Sequence, residues 1–222
     1  MADPAPQTFT PALGKAWLTP AYDAAIALMT RERVWRTALV RDIEPRRGMR
    51  ILDIGCGTGA LLLALSVAEP GADLAGLDPD PSVLARAKRK ARKRKARIGF
   101  IEGFFGEANL PDGWQPDVIT SSLVLHQVPM AEKRRILSQA FDILPVGGRL
   151  VIADYGLQRT KLMRTLFRNT VQRLDGIEDT IPNADGVLPL LMEQAGFEDV
   201  RETKIVPTVT GSISIYSANR GA

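Results

Sequence analysis

An apolar run broken by three glycines at alternate positions, Ile51-Leu-Asp-Ile-Gly-Cys-Gly-Thr-Gly59, constrains this chain more than any other feature. Ile51, Leu52 and Ile54 suit a buried strand. Gly55, Gly57 and Gly59 end that strand, and Ala60 to Val67 reads as a helix packed close behind it. Strand, glycine turn and helix make the first unit of a nucleotide-binding α/β fold. Glycine tolerates positive φ there and removes the Cβ atoms that would hold a ligand away from the backbone.

The charges around the turn say what it binds. A pyrophosphate loop reads G-x-G-x-x-G and sets a helix N-terminus against negative charge. Here the spacing is G-x-G-x-G, and a carboxylate, Asp53, stands two residues before the first glycine. That acid repels a pyrophosphate but suits an ammonium or a sulfonium. A second acid, Asp78, closes the next apolar run, Leu74-Ala-Gly-Leu-Asp78. An acid roughly 20 residues past the loop, at a strand end, is placed for ribose hydroxyls. The pair fits S-adenosyl-L-methionine (SAM) better than NAD.

At these residues the chain resembles the class I SAM-dependent methyltransferases. Leu52 to Gly59 is similar to their first motif and Gly76-Leu-Asp-Pro79 to their second. Pro116 to His126 resembles the fourth-strand motif, and Leu144 to Asp154 the fifth. Tyr22-Asp23 and Arg33-Val-Trp-Arg-Thr-Ala-Leu-Val40 are similar to the N-terminal segment of the ubiquinone/menaquinone-biosynthesis C-methyltransferase group. In that group the segment folds over the methyl donor, which makes Tyr22 a cofactor-side candidate. The resemblance covers about residues 20 to 205. It implies a single Rossmann-like three-layer α/β sandwich with a seven-stranded, mostly parallel sheet of order 3-2-1-4-5-7-6 and an antiparallel last strand. The expected layout is one domain over 1–222, with a helical cap segment at 1–45 and a lid-like insertion at 156–187.

Composition is consistent with that expectation. A chain of 222 residues, 45% of them hydrophobic, can form one sizeable core. No run approaches the ~18–20 apolar residues of a membrane span, and the N-terminus lacks a basic, apolar leader. A single cysteine, Cys56, excludes an internal disulfide framework and a cysteine-based metal site; no metal is expected. Together these features predict a soluble cytoplasmic protein, or one peripheral to a membrane. The net charge of +4 hides a polarised distribution. Nine Lys or Arg and no acid lie between Arg86 and Arg97, leaving 20 bases against 25 acids elsewhere. Like charges at i,i+4 repel by a few tenths of a kcal/mol each, so this stretch invites an anionic surface. A solvated helix face is the plain alternative.

The remaining text falls into elements of familiar period. Thr19 to Ile43 reads as helix, stopped by Pro45. Ser82 to Ala96 and Ala131 to Leu144 follow as amphipathic helices. Ile98 to Glu102, Pro116 to Leu123 and Arg149 to Tyr155 read as strands. Thr160 to Leu174 reads as one helix with Arg164 and Arg168 opposite an apolar stripe, Asp175 to Val187 as loop, Leu188 to Ala195 as a short helix, and the C-terminus as two strands. After the third strand the family has Gly-Asp-Ala against adenine; this chain has Gly103-Phe-Phe-Gly-Glu-Ala108, so Phe104 and Phe105 are expected to flank that ring, unless both pack in the core.

The candidate cofactor set is therefore Asp53, Gly55, Cys56, Gly57, Gly59, Asp78, Pro79, Phe104, Phe105, Ser121 and Tyr22. His126, the only histidine, follows the fourth strand close to where an acceptor would sit, and is the candidate base; packing or loop support is the alternative role. Thr120-Ser-Ser-Leu123 lacks the proline-proline-aromatic grip used on nucleobase amines, which argues against nucleic acid as the substrate. The expected activity is methyl transfer from SAM by in-line displacement to a small, apolar or lipid-like acceptor. Rivals are a nucleic-acid-binding relative that uses residues 86–97, and a SAM-binding protein without turnover.

Overall fold

The computed structural model describes residues 28–221. Tyr22 and the start of the expected first helix lie outside the described residues.

The first described helix, α1 (Glu32–Ile43), buries Trp35, Leu39 and Ile43 at helical spacing and ends at Glu44 in the left-handed region, just before Pro45. Strands and helices then alternate. β1 (Arg50–Ile54) leads to α2 (Ala60–Ala68), β2 (Asp73–Asp78) to α3 (Pro81–Lys93), and β3 (Ile98–Glu102) runs on towards β4 (Val118–Ser122). A 3-10 turn at Leu125–Gln127 precedes α4 (Met130–Ile143), which feeds β5 (Arg149–Tyr155). Three short helices follow: α5 (Lys161–Asn169), α6 (Val171–Asp175) and α7 (Ile177–Ala184). Then come α8 (Leu188–Gln194) and the hairpin β6 (Phe197–Thr208) and β7 (Gly211–Arg220).

The seven strands form one sheet of order β3-β2-β1-β4-β5-β7-β6, as expected. β1 to β5 are parallel, whereas β7 runs antiparallel to both β5 and β6. Strand alternation gives the sheet two apolar faces. Ile51, Val118, Val151 and Ile213 pack with Trp35, Leu39, Leu62, Leu84 and Phe167, on the side of α1, α2, α3 and α5. Leu52, Ile119, Leu150 and Ile152 pack with Ile136, Leu137, Leu191 and Met192 of α4 and α8. The parallel order reverses beside β1, which opens a crevice at the carboxyl ends of β1 and β4, where ligands bind in such sheets.

Two expectations fail in the stretch after β5. The predicted helix Thr160–Leu174 is divided at Thr170, whose backbone leaves the helical region (φ −116, ψ −80) while its hydroxyl donates to Leu166 O at 2.7 Å. The predicted loop Asp175–Val187 is largely helix. Gly176 at φ +88 restarts the chain, and α7 carries Pro182 within it.

Candidate cofactor and active site

The glycine turn has the backbone its sequence demands. Gly55, Gly57 and Gly59 have φ of 67, 51 and 74, a region that other residues enter only with strain. A side chain at Gly55 would collide with Val124 after β4, and one at Gly59 would press on Ala87 of α3. At Gly57 an added Cβ would meet nothing within 4 Å, so that segment of backbone faces open space. The loop is held from below. Asp78 accepts from Gly57 N at 2.8 Å and, through its other oxygen, from Asp80 N at 2.9 Å. Burial pushes the Asp78 pKa up, against the pull of those two N–H groups. Asp78 thus braces the loop as well as standing at the strand end suited to a ribose. Pro79 follows it and Asp80 caps α3 by accepting from Ser82 N at 2.7 Å.

Asp53 is the most unusual group. It is 1% exposed and neither carboxylate oxygen has a hydrogen-bond partner. Burial pushes its pKa up to about 8, with Asp78 adding to the rise and Arg36 opposing it. A buried carboxylate without partners is costly. A cationic ligand next to the open glycine turn would relieve that cost, and the ammonium of SAM is such a cation. The residues present therefore fit the cofactor.

The other expected residues divide. Cys56 is buried and its thiol is pushed up by burial, with Asp53 and Asp78 adding to it, so it stays protonated and inert. Ser121 is buried, and its hydroxyl donates to Ile54 O at 2.9 Å, tying β4 to β1 below the crevice. Phe104 is half-buried, whereas Phe105 is enclosed in the core with Leu77, Ile136 and Ala140. The Phe105 side chain joins the layer under α4, and its carbonyl accepts from Arg135 at 2.7 Å.

His126 lies in the 3-10 turn and is 5% exposed. Its Nδ1 is 2.8 Å from Asp154 Oδ1 and its Nε2 is 3.4 Å from Asp175 Oδ2. Burial alone would lower its pKa, but Asp154 and then Asp175 outweigh that and raise it to about 9. Asp154, wholly buried at the end of β5, also accepts from the backbone N–H groups of Val124, Leu125 and Tyr155. The Tyr155 ring meets the imidazole edge-on at 5.0 Å, and its hydroxyl is 2.8 Å from Thr210 Oγ1. Lys133, fully buried on α4, donates to Val128 O and to Asp179 O of α7, the latter at 2.8 Å. Burial lowers its pKa to about 8. Sequence reading missed Asp154, Asp175 and Lys133 as members of one network. They are far apart in the chain, and only the tertiary fold joins them.

A seven-stranded sheet in this order, with a glycine turn and a buried acid beneath it, defines a Rossmann-like methyltransferase. Residues 51–148 match the family model described as a methyltransferase domain. An uncharacterized methyltransferase of Synechocystis sp. PCC 6803 is 31% identical over 161 residues, 70% of this chain and 69% of its own length. The chain belongs to the SAM-dependent methyltransferase family. A demethylmenaquinone methyltransferase of Thermus thermophilus is 32% identical over 140 residues, 62% of each chain, so the match spans less than two thirds of that relative. Among solved structures, the magnesium protoporphyrin IX methyltransferase of Synechocystis PCC 6803 with bound SAH shares the fold, with a TM-score of 0.65 at 20% identity, over 94% of this chain and 90% of that one.

Proposed function

We propose that this protein transfers the methyl group of SAM to a small, apolar or lipid-like acceptor. The observation that carries the reading is Asp53, a buried and unpartnered carboxylate beside a glycine turn whose middle member faces open space. When bound, SAM supplies an activated methyl group for direct, in-line displacement, and alignment of the partners can contribute ~7–11 kcal/mol. The chain's own work is to bind, orient and exclude water. Asp53 holds the ammonium end, Gly57 lets the ligand approach the backbone, and Asp78 keeps the turn in shape.

The acceptor side is set by β4, β5 and the lid. The relative from Thermus thermophilus is named for demethylmenaquinone, a quinone. The lid exposes Leu162, Leu174, Ile177 and Ile181, and a groove of about 310 Å³ between α5 and α7 has Phe167, Ile177 and Ile181 as lining and Arg164 and Arg168 among its polar residues. Arg164 is paired with Asp185 of the same groove, so Arg168 is the base left to meet an anionic head on an apolar body. His126 serves as a positioning residue: while charged, it ties the turn after β4 to Asp175 of the lid, and it has no free ring nitrogen for a proton. A base role becomes available only as pH approaches about 9. The basic face of α3 is proposed to meet an anionic lipid surface.

The test is calorimetric titration with SAM, followed by incubation with a panel of quinols, phenols and lipid amines and detection of S-adenosylhomocysteine. The expected result is SAM binding, weakened at least tenfold in Asp53→Asn, with turnover on an apolar member of the panel. Binding without turnover on any acceptor points to a non-catalytic SAM-binding protein. Binding of NAD in place of SAM overturns the reading.

A further inference from the structure

The basic helix α3 is joined to the glycine turn at three points. Asp78, at the end of β2, accepts from Gly57 N with one oxygen and from Asp80 N with the other, and Asp80 in turn caps α3. Ala87 of α3 packs where only a residue without a side chain leaves room, since a Cβ on Gly59 would stand 3.2 Å from its methyl group. Lys90, three residues further along, donates to Thr58 Oγ1 at 2.8 Å. Thr58 sits between Gly57, where an added Cβ would meet nothing within 4 Å, and Gly59. Movement of the Lys90 ammonium is therefore felt by the loop that the cofactor must touch.

The three joints differ in what can break them. Asp78 and Ala87 are buried, so their contacts are shielded from anything outside the fold. Lys90 is exposed and belongs to the same row of bases as its neighbours. Arg86 precedes it by four residues, and Lys93 and Arg94 follow it by three and four. Like charges at that spacing repel. Arg86, Lys93 and Arg94 form no ion pair among the described residues. An anionic surface laid along the row relieves the repulsion and competes with the neutral Thr58 hydroxyl for the Lys90 ammonium. Of the two acceptors, the charged head group is the stronger.

We infer that Lys90 is a switch between α3 and the cofactor loop: on an anionic lipid surface it leaves Thr58, the glycine turn loosens, and the cofactor is held less tightly. Surface and cofactor then bind antagonistically, and by linkage each weakens the other by the same factor. A protein seated on lipid thereby gives up its spent cofactor more readily than one in solution. The inference rests on the SAM reading and on the lipid contact of α3 proposed above.

Titration with S-adenosylhomocysteine at low salt tests it without turnover, in the presence of vesicles of phosphatidylcholine alone or mixed with phosphatidylglycerol. In the parent protein the mixed vesicles should lower the affinity about fivefold, as for loss of one ordinary hydrogen bond, while the neutral vesicles leave it unchanged. Lys90→Met should bind about fivefold more weakly from the outset and lose nothing further on mixed vesicles. Thr58→Val removes the other partner and should behave in the same way, so it carries the test if Lys90→Met melts early. A parent protein that co-sediments with mixed vesicles yet keeps its affinity overturns the switch, as do variants that still lose affinity on them. A loss produced by duplex DNA but not by vesicles overturns the lipid assignment. Failure to co-sediment overturns the surface contact and the coupling with it. Failure to bind S-adenosylhomocysteine with or without vesicles overturns the SAM reading itself, a separate result.

Discussion

His126 has a carboxylate at each ring nitrogen, and the strength of both contacts depends on its charge. Its pKa in the folded protein, about 9, lies above its ordinary value near 6.5. A base held above its unfolded pKa stabilises the fold fully below that unfolded value and loses its contribution as pH climbs through the folded one. Stability should therefore fall between about pH 6.5 and 9, and His126→Asn should flatten that part of the curve. Because the chain has one histidine, its ring nitrogen signals in an NMR titration belong to a single residue. A midpoint near 9 is expected, and one near 6.5 would contradict the two-carboxylate cage. Asp53 also sits above its ordinary value, pushed to about 8 by burial, so it too withdraws stability from the unliganded protein as pH rises, and ligand binding should restore it.

Among the elements, the three-helix segment of α5, α6 and α7 is fastened by two side chains from outside it. Lys133 of α4 donates to Asp179 O of α7, and His126 faces Asp175 at the end of α6. Lys133→Met keeps the apolar stem but removes the donors. It should raise amide hydrogen exchange across residues 171–184 about tenfold or more, consistent with the loss of ~1.5–3 kcal/mol per charged hydrogen bond, and leave β1 and β4 protected. Unchanged protection in these helices would show that packing alone holds them. These elements also mark where sequence stops being informative. Bounds for β3 and β5 were readable because short apolar runs sit between clear turn residues. The division at Thr170 was not, since Leu162, Leu166, Phe167, Val171 and Leu174 keep a helical spacing straight across it. Gly176 and Pro182 both look like loop, but Asn183 of α7 donates to Tyr155 O at 3.0 Å and Thr180 to Gly176 O at 2.5 Å, and those contacts settle the helix. The glycine turn and its two acids were local and therefore legible. Asp154 and Asp175 acquire their partners only from residues distant in sequence.

Across the whole molecule, positive charge is concentrated on α3 and the turn after it. Lys90 donates to Thr58 Oγ1 of the glycine loop at 2.8 Å. Arg86, Lys88, Arg89, Arg92, Lys93, Arg94, Lys95 and Arg97 form no ion pair among the described residues, while Leu84, Ala87 and Ala91 turn inwards. Each such base near an anionic lipid surface contributes ~1 kcal/mol, screened over ~10 Å at 0.1 M salt and ~3 Å at 1 M. The protein should co-sediment with vesicles containing anionic lipid at low salt and release as salt rises. Lys88→Gln with Arg92→Gln and Lys95→Gln should weaken the binding by ~3 kcal/mol at low salt, and binding that ignores salt would exclude the lipid contact. No helix among the described residues is long and apolar enough to cross a membrane. The same charges have a further consequence through β3, which borders the sheet and pairs only with β2. An open strand border is a template for a second molecule, and like-charged neighbours keep such borders apart. Neutralising α3 should therefore remove a guard against fibre-like self-association as well as a foothold on lipid.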